Sequence, residues 1–117
     1  LRFIKENEVP EIFNGCSLVA LPYRHVDQSG VLMTMISYGM PIVASKIGGF
    51  EELLKDGKHG YLFDLEDTNS LAKSLEKILG NEKLTKQMGK SVQSLADQWS
   101  SWDKISRYTI EAYQKLL

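Results

Sequence analysis

SLVALPYRHVDQSGVLMTMISYGMPIVASKIGGF, residues 17–50, reads as strand, loop, helix, strand and glycine turn without interruption. Leu18 to Leu21 form an apolar run too short for a helix, and Pro22 withdraws a backbone donor where the strand stops. Gln28, Ser29 and Gly30 precede Val31, Leu32, Met35 and Ile36, whose spacing suits one buried helix face, and Gly39 sits where a helix commonly finishes. Pro41 opens a second strand, Ile42 to Ser45, whose unbroken apolar part fits a strand covered by helices on both faces. Parallel strands joined through a helix bring their carboxyl ends to one edge, and ligands of such sheets bind beyond that edge. Pro22 to Gly30 and Ser45 to Phe50 therefore share the edge where function is expected.

The loop after the first strand holds Arg24, His25, Asp27 and Gln28 in close succession, which makes it the richest stretch for chemistry. A Ser-Gly pair opening a helix offers free amides and the positive end of the helix dipole, and both favour a diphosphate. Ser29, Gly30 and Val31 are the candidate cradle. The same pair also suits an ordinary Ser-capped helix that binds nothing, so the residues leave both readings open. Gly48 and Gly49 permit a tight turn with positive φ, or a close approach of backbone to ligand, before Glu51 and Glu52 enter a helix first turn.

The order apolar strand, Leu-Pro, variable loop, Ser-Gly, helix, Tyr-Gly-Met-Pro, Ile-Val-Ala-Ser, Gly-Gly-Phe-Glu-Glu resembles the second half of the nucleotide-sugar domain of family 4 retaining glycosyltransferases, which have the two-domain GT-B fold. The likeness runs on through DGKHGYLF, residues 56–63, and the helices beyond, and so covers essentially the whole chain. It implies a nucleotide-diphosphate-sugar donor site that needs no metal or other cofactor, transfer to an acceptor held by a separate N-terminal domain, and a glycan or glycoconjugate product. It also implies that residues 1–117 are one domain, the truncated donor-binding half of such an enzyme. The family's two glutamates, eight residues apart, fall on Val26 and Thr34. Asp27 and Gln28 are then the expected catalytic residues holding the sugar, and Thr34 offers one hydroxyl where a carboxylate would grip the ribose. Arg24, Ser45, Gly48 and Gly49 complete the expected substrate contacts with the cradle, and Glu52 matches the acidic residue after the family's glycine pair.

Outside this unit, Leu1 to Lys5 alternate as a short strand would, and Tyr61 to Phe63 make another. The expected fold is α/β, a Rossmann-like three-layer domain with a mostly parallel sheet of about four strands. Phe3 and Ile4 read as core residues of the first strand, or by the resemblance as neighbours of the nucleotide base. Two earlier βα units of the family, with their basic phosphate-contacting pair, have no counterpart. One side of the LVALP strand is then an apolar edge, and self-association, strand swapping or a companion segment is expected there.

A helix is expected over Asn7 to Asn14, with Val9, Ile12 and Phe13 inward. Asp67 or Thr68 caps the next long helix, and a further one runs from Asn81 to Trp99. Trp102 to Leu116 then trace a terminal helix whose aromatics are partly exposed in a fragment. His25 and His59 lack the companions of a metal site. A net charge of −1 over 117 residues argues against a nucleic-acid partner. Cys16, the single cysteine, reads as a buried thiol, and with no apolar run of membrane-spanning length the expected place is the cytoplasm, or peripherally the inner face of the membrane for a full-length protein. The competing reading is a non-catalytic α/β interaction or regulatory domain whose glycine turns are purely architectural.

Overall fold

A computed structural model describes residues 2–25, 30–99 and 101–117. Three parallel strands, β1 (Val19–Leu21), β2 (Ile42–Ser45) and β3 (Gly60–Phe63), lie in the order β1-β2-β3. Val19 pairs with Ile42 and Leu21 with Ala44, while Ile42 pairs with Gly60 and Ser45 with Phe63. The helices are α1 (Val9–Asn14), α2 (Gly30–Ile36), α3 (Gly48–Leu53), α4 (Thr68–Leu79), α5 (Glu82–Trp99) and α6 (Trp102–Leu116).

All four residues of β2 are buried, as the apolar run requires. Because side chains alternate across a strand, Ile42 and Ala44 enter one core with Leu32 and Ile36 of α2 and Phe50 of α3, and Val43 enters the other with Ile78 of α4. Helix α5 serves both cores, giving Met88 to one and Val92, Leu95 and Ala96 to the other. It passes close enough to the turn before β2 that a Cβ on Gly89 would lie 2.6 Å from the Gly39 carbonyl oxygen. Gly39 itself has φ of 64°, which ends the turn after α2 in a conformation natural to glycine. Asp67 caps α4 by accepting from the amides of Asn69 at 3.0 Å and Ser70 at 3.3 Å.

The amino-terminal strand does not form. Among the described residues the sheet has three strands, residues 2–5 carry no regular structure, and Phe3 is 87% exposed. The local polar groups favour a helical start instead. The amide of Lys5 donates to the Glu8 carboxylate at 2.9 Å, and the Arg2 guanidinium grips the same carboxylate at 2.8 and 2.9 Å. That guanidinium holds the Glu8 carboxyl below its ordinary range. A single 3-10 turn, Glu6–Glu8, leads into α1, of which Phe13 alone packs well, 4.7 Å from Tyr38 between ring centroids, while Ile12 is exposed. Cys16 is also exposed, contrary to the buried thiol expected, because the chain emerges at the end of α1 and its Sγ donates back to the Ile12 carbonyl. The outer edge of β1 has no partner strand among the described residues, and α6 buries none of its side chains, leaving Trp102, Tyr108 and Tyr113 exposed.

The turn into β3 is built from the backbone outward. Gly57 donates to the Gly60 carbonyl at 2.8 Å, and the Asp56 carboxylate accepts from the amide of Leu62 at 2.8 Å. His59 is buried, and its Nδ1 accepts from the Lys55 amide at 3.0 Å. Gly60 then crosses so close to β2 that a Cβ would lie 1.8 Å from the Ile42 carbonyl oxygen, at a φ of 144° that other residues avoid. Replacing Gly60 with Ala should destabilise the chain by about 3–5 kcal/mol, read as a lower urea midpoint.

Burial lowers the His59 pKa, with the Lys58 and Lys55 charges adding to it. A free imidazole titrates near ~6.5, so below that value the unfolded chain binds the proton first. The stability contributed by the neutral ring is therefore complete above about pH 6.5 and falls as the pH drops toward the lower folded value, by at most ~1.4 kcal/mol per pH unit. Urea midpoints at several pH values should show this slope, and His59→Gln should flatten it.

Candidate functional site

The carboxyl ends of the strands deliver three connections to one edge. After β1 come Pro22, Tyr23, Arg24 and His25, all exposed; after β2 come Lys46 and Ile47, leading into α3; after β3 comes the acidic turn beginning at Asp64. Two contacts tie the first two connections together. The buried Ser45 hydroxyl donates to the Leu21 carbonyl at 3.3 Å, and the Tyr23 ring stacks on Phe50 with centroids 5.8 Å apart and planes 28° apart. Phe50 is fully buried in the first turn of α3, so the stack anchors the start of the β1 loop to the start of that helix.

The candidate residues divide. Arg24, Gly30, Val31, Thr34 and Gly48 are exposed and Gly49 is half-buried, with Gly30 and Val31 opening α2 and Gly48 and Gly49 opening α3. Asp27, Gln28 and Ser29 lie outside the described residues. Thr34 sits one turn into α2, and its hydroxyl donates to the Gly30 carbonyl at 3.0 Å, leaving its oxygen lone pairs to accept. Ser45 was expected to face the substrate, but its side chain is buried and spent on the β1 carbonyl, so it fastens the two strands instead. Of the two readings open for Gly48 and Gly49, a tight turn of positive φ or a close approach of backbone to ligand, the first does not hold: neither has a positive φ, and both are helical residues of α3. Replacing Ser45 with Ala should cost about 1 kcal/mol through the lost buried bond, measured by urea unfolding.

The glycines sort by what the fold demands of them. Gly60 and Gly89 are required by backbone passing within contact distance, and Gly39 by its φ of 64°. At Gly30 and Gly48 an added Cβ would meet nothing within 4 Å, and neither φ is positive. Packing among the described residues therefore places no demand on these two positions, each at the opening of a helix on the same sheet edge. No described group accepts from the amides of Gly48 and Gly49. Lys46 and Tyr23 join the edge although sequence reasoning passed over them. A cation directly after a buried strand was the available sign for Lys46; the Tyr23 stack needs the β1-β2 register and has no linear trace.

Elsewhere, cavities of 490 Å³ beside Tyr38 and Gly39 and of 250 Å³ beside His59 lie toward the amino ends of the strands. Among the described residues no three His, Cys, Asp or Glu side chains gather as a metal site, and no helix is long and apolar enough to cross a membrane.

Residues 1–94 match the family described as "Glycosyl transferases group 1". The chain belongs to the group 1 glycosyl transferases. An uncharacterised glycosyltransferase of Methanocaldococcus jannaschii is 26% identical over 94% of this chain and 31% of its own length. The D-inositol 3-phosphate glycosyltransferase of Corynebacterium urealyticum is 27% identical over 99% of this chain and 28% of its own. This glycosyl transferase chain thus spans under a third of the length of these curated relatives. Among solved structures, sucrose-phosphate synthase from Thermosynechococcus elongatus superposes with a TM-score of 0.85 at 20% identity, over 99% of this chain and 29% of that one. Anabaena HepE in complex with UDP-glucose gives 0.82 at 24%, over 98% and 31%. The C-terminal domain of a group 1 glycosyl transferase from Francisella tularensis gives 0.74 at 20%, over 87% and 53%. The three-stranded α/β fold is that of GT-B C-terminal domains.

Proposed function

We propose that this chain is the donor-binding part of a retaining glycosyltransferase that takes a UDP-sugar, with the diphosphate seated across the openings of α2 and α3. The observation that carries the reading is the pair of open glycines. Gly30 and Gly48 stand where the described residues have no use for a missing side chain, whereas a diphosphate approaching the backbone does. Amides at two helix openings, with Arg24 and Lys46 on the same edge, supply the positive potential that a diphosphate requires. The family membership and the UDP-glucose held by HepE at the same fold support this choice of ligand.

The chemistry follows from where charge develops. As the glycosidic bond breaks, negative charge collects on the departing diphosphate, and preorganised amides there stabilise it more than they stabilise the ground state. On this reading the charge is met by helix openings and cationic side chains, with no metal required. Asp27 and Gln28 hold the transferred sugar in place of a glutamate at position 26, and the Thr34 hydroxyl accepts a bond on the ribose side. The acceptor belongs to a separate N-terminal domain of the intact protein.

Gly30→Val and Gly48→Val in the intact protein should each weaken UDP binding by about tenfold or more, measured by calorimetric titration, while melting temperatures hold. The non-catalytic interaction reading requires the opposite: UDP binding absent in the parent, or unchanged in both variants.

A further inference from the structure

The amino edge of the sheet carries a second polar cavity that the donor reading does not use. It encloses 250 Å³ between the end of α3, the turn before β3 and the last half of α5. Its most telling occupant is His59, 5% exposed. One ring nitrogen, Nδ1, accepts from the Lys55 amide, which places the proton on Nε2. No described group accepts from Nε2, and the ring borders the cavity. That N–H is open to the cavity and free to donate to a molecule seated there.

The groups around it define the ligand. Lys55 and Lys58 bring two cations from the turn, and Glu52 brings one carboxylate from α3. From α5 come the neutral side chains of Ser94 and Gln98 and the indole of Trp99, which is 50% exposed. None of the two lysines and Glu52 is in an ion pair within 4.0 Å with another described residue. Two cations and an imidazole N–H suit a phosphoryl group. A carboxylate, an amide and a hydroxyl suit several sugar hydroxyls, and a half-exposed indole offers an apolar face to a ring. The volume falls below the roughly 300–1,000 Å³ of ordinary ligand clefts, so the occupant is smaller than a nucleoside diphosphate sugar. We infer that this cavity is a binding site for a phosphorylated monosaccharide, separate from the donor edge.

The test is calorimetric titration of the intact protein with glucose 6-phosphate, glucose and inorganic phosphate, each in saturating UDP. Glucose 6-phosphate is expected to bind in the presence of UDP, at least about tenfold more tightly than either glucose or phosphate. Lys58→Ala, an exposed position that leaves the turn's hydrogen bonds in place, should weaken it about tenfold, and Lys83→Ala on the far part of α5 should leave it unchanged. The inference is overturned if UDP abolishes the binding, if inorganic phosphate binds as tightly as the sugar phosphate, or if Lys58→Ala matches the parent. Failure of UDP itself to bind would count against the donor reading alone, because the two sites share no residue.

Discussion

The complete burial of β2 between two helical layers is the constraint on which the rest of the structure depends. Each of its four residues faces protein, so its neighbours on both sides must be strands and both of its faces must be roofed by helices. Parallel connection then follows, since only a crossover helix returns the chain to the same end of the sheet. The close passage of Gly60 over Ile42 sets the register of β3, and the passage of Gly89 beneath Gly39 sets where α5 closes the amino end. Once these contacts exist, the openings of α2 and α3 have no freedom to be anywhere but the carboxyl edge.

That edge is held rigidly by side-chain contacts. The Ser45 bond to β1 and the Tyr23 stack on Phe50 fix the two backbone segments relative to each other, while an added Cβ at Gly30 or Gly48 would meet no described atom within 4 Å. Binding sites are expected to be built on a preorganised backbone of this kind. The amino edge differs in character: its polar groups are side chains gathered from a turn and two helices, with a buried histidine at their centre.

Residues 17–50 were legible because their apolar periods and glycine and proline punctuation agree with one another, and both strands and the helix between them form. The cap of α4 and the periodicity of α4 and α5 were legible for the same reason. What failed depended on partners. Leu1 to Lys5 alternate like a strand, but no described strand lies beside them and Glu8 captures their polar groups. Ser45 looked like a site residue because it ends a strand at the right edge; only the β1-β2 register shows its hydroxyl already engaged. For the glycine pair at 48 and 49 the sequence left open a tight turn or a close backbone approach, and the turn is excluded, since composition does not distinguish a helix opening from a tight turn.

The most direct test of the donor edge is amide chemical-shift mapping of the intact, nitrogen-15-labelled protein on addition of UDP. The account predicts that Gly30, Val31, Gly48 and Gly49 shift most and saturate together. Shifts confined to other surfaces, with these four amides unmoved at saturation, would contradict it.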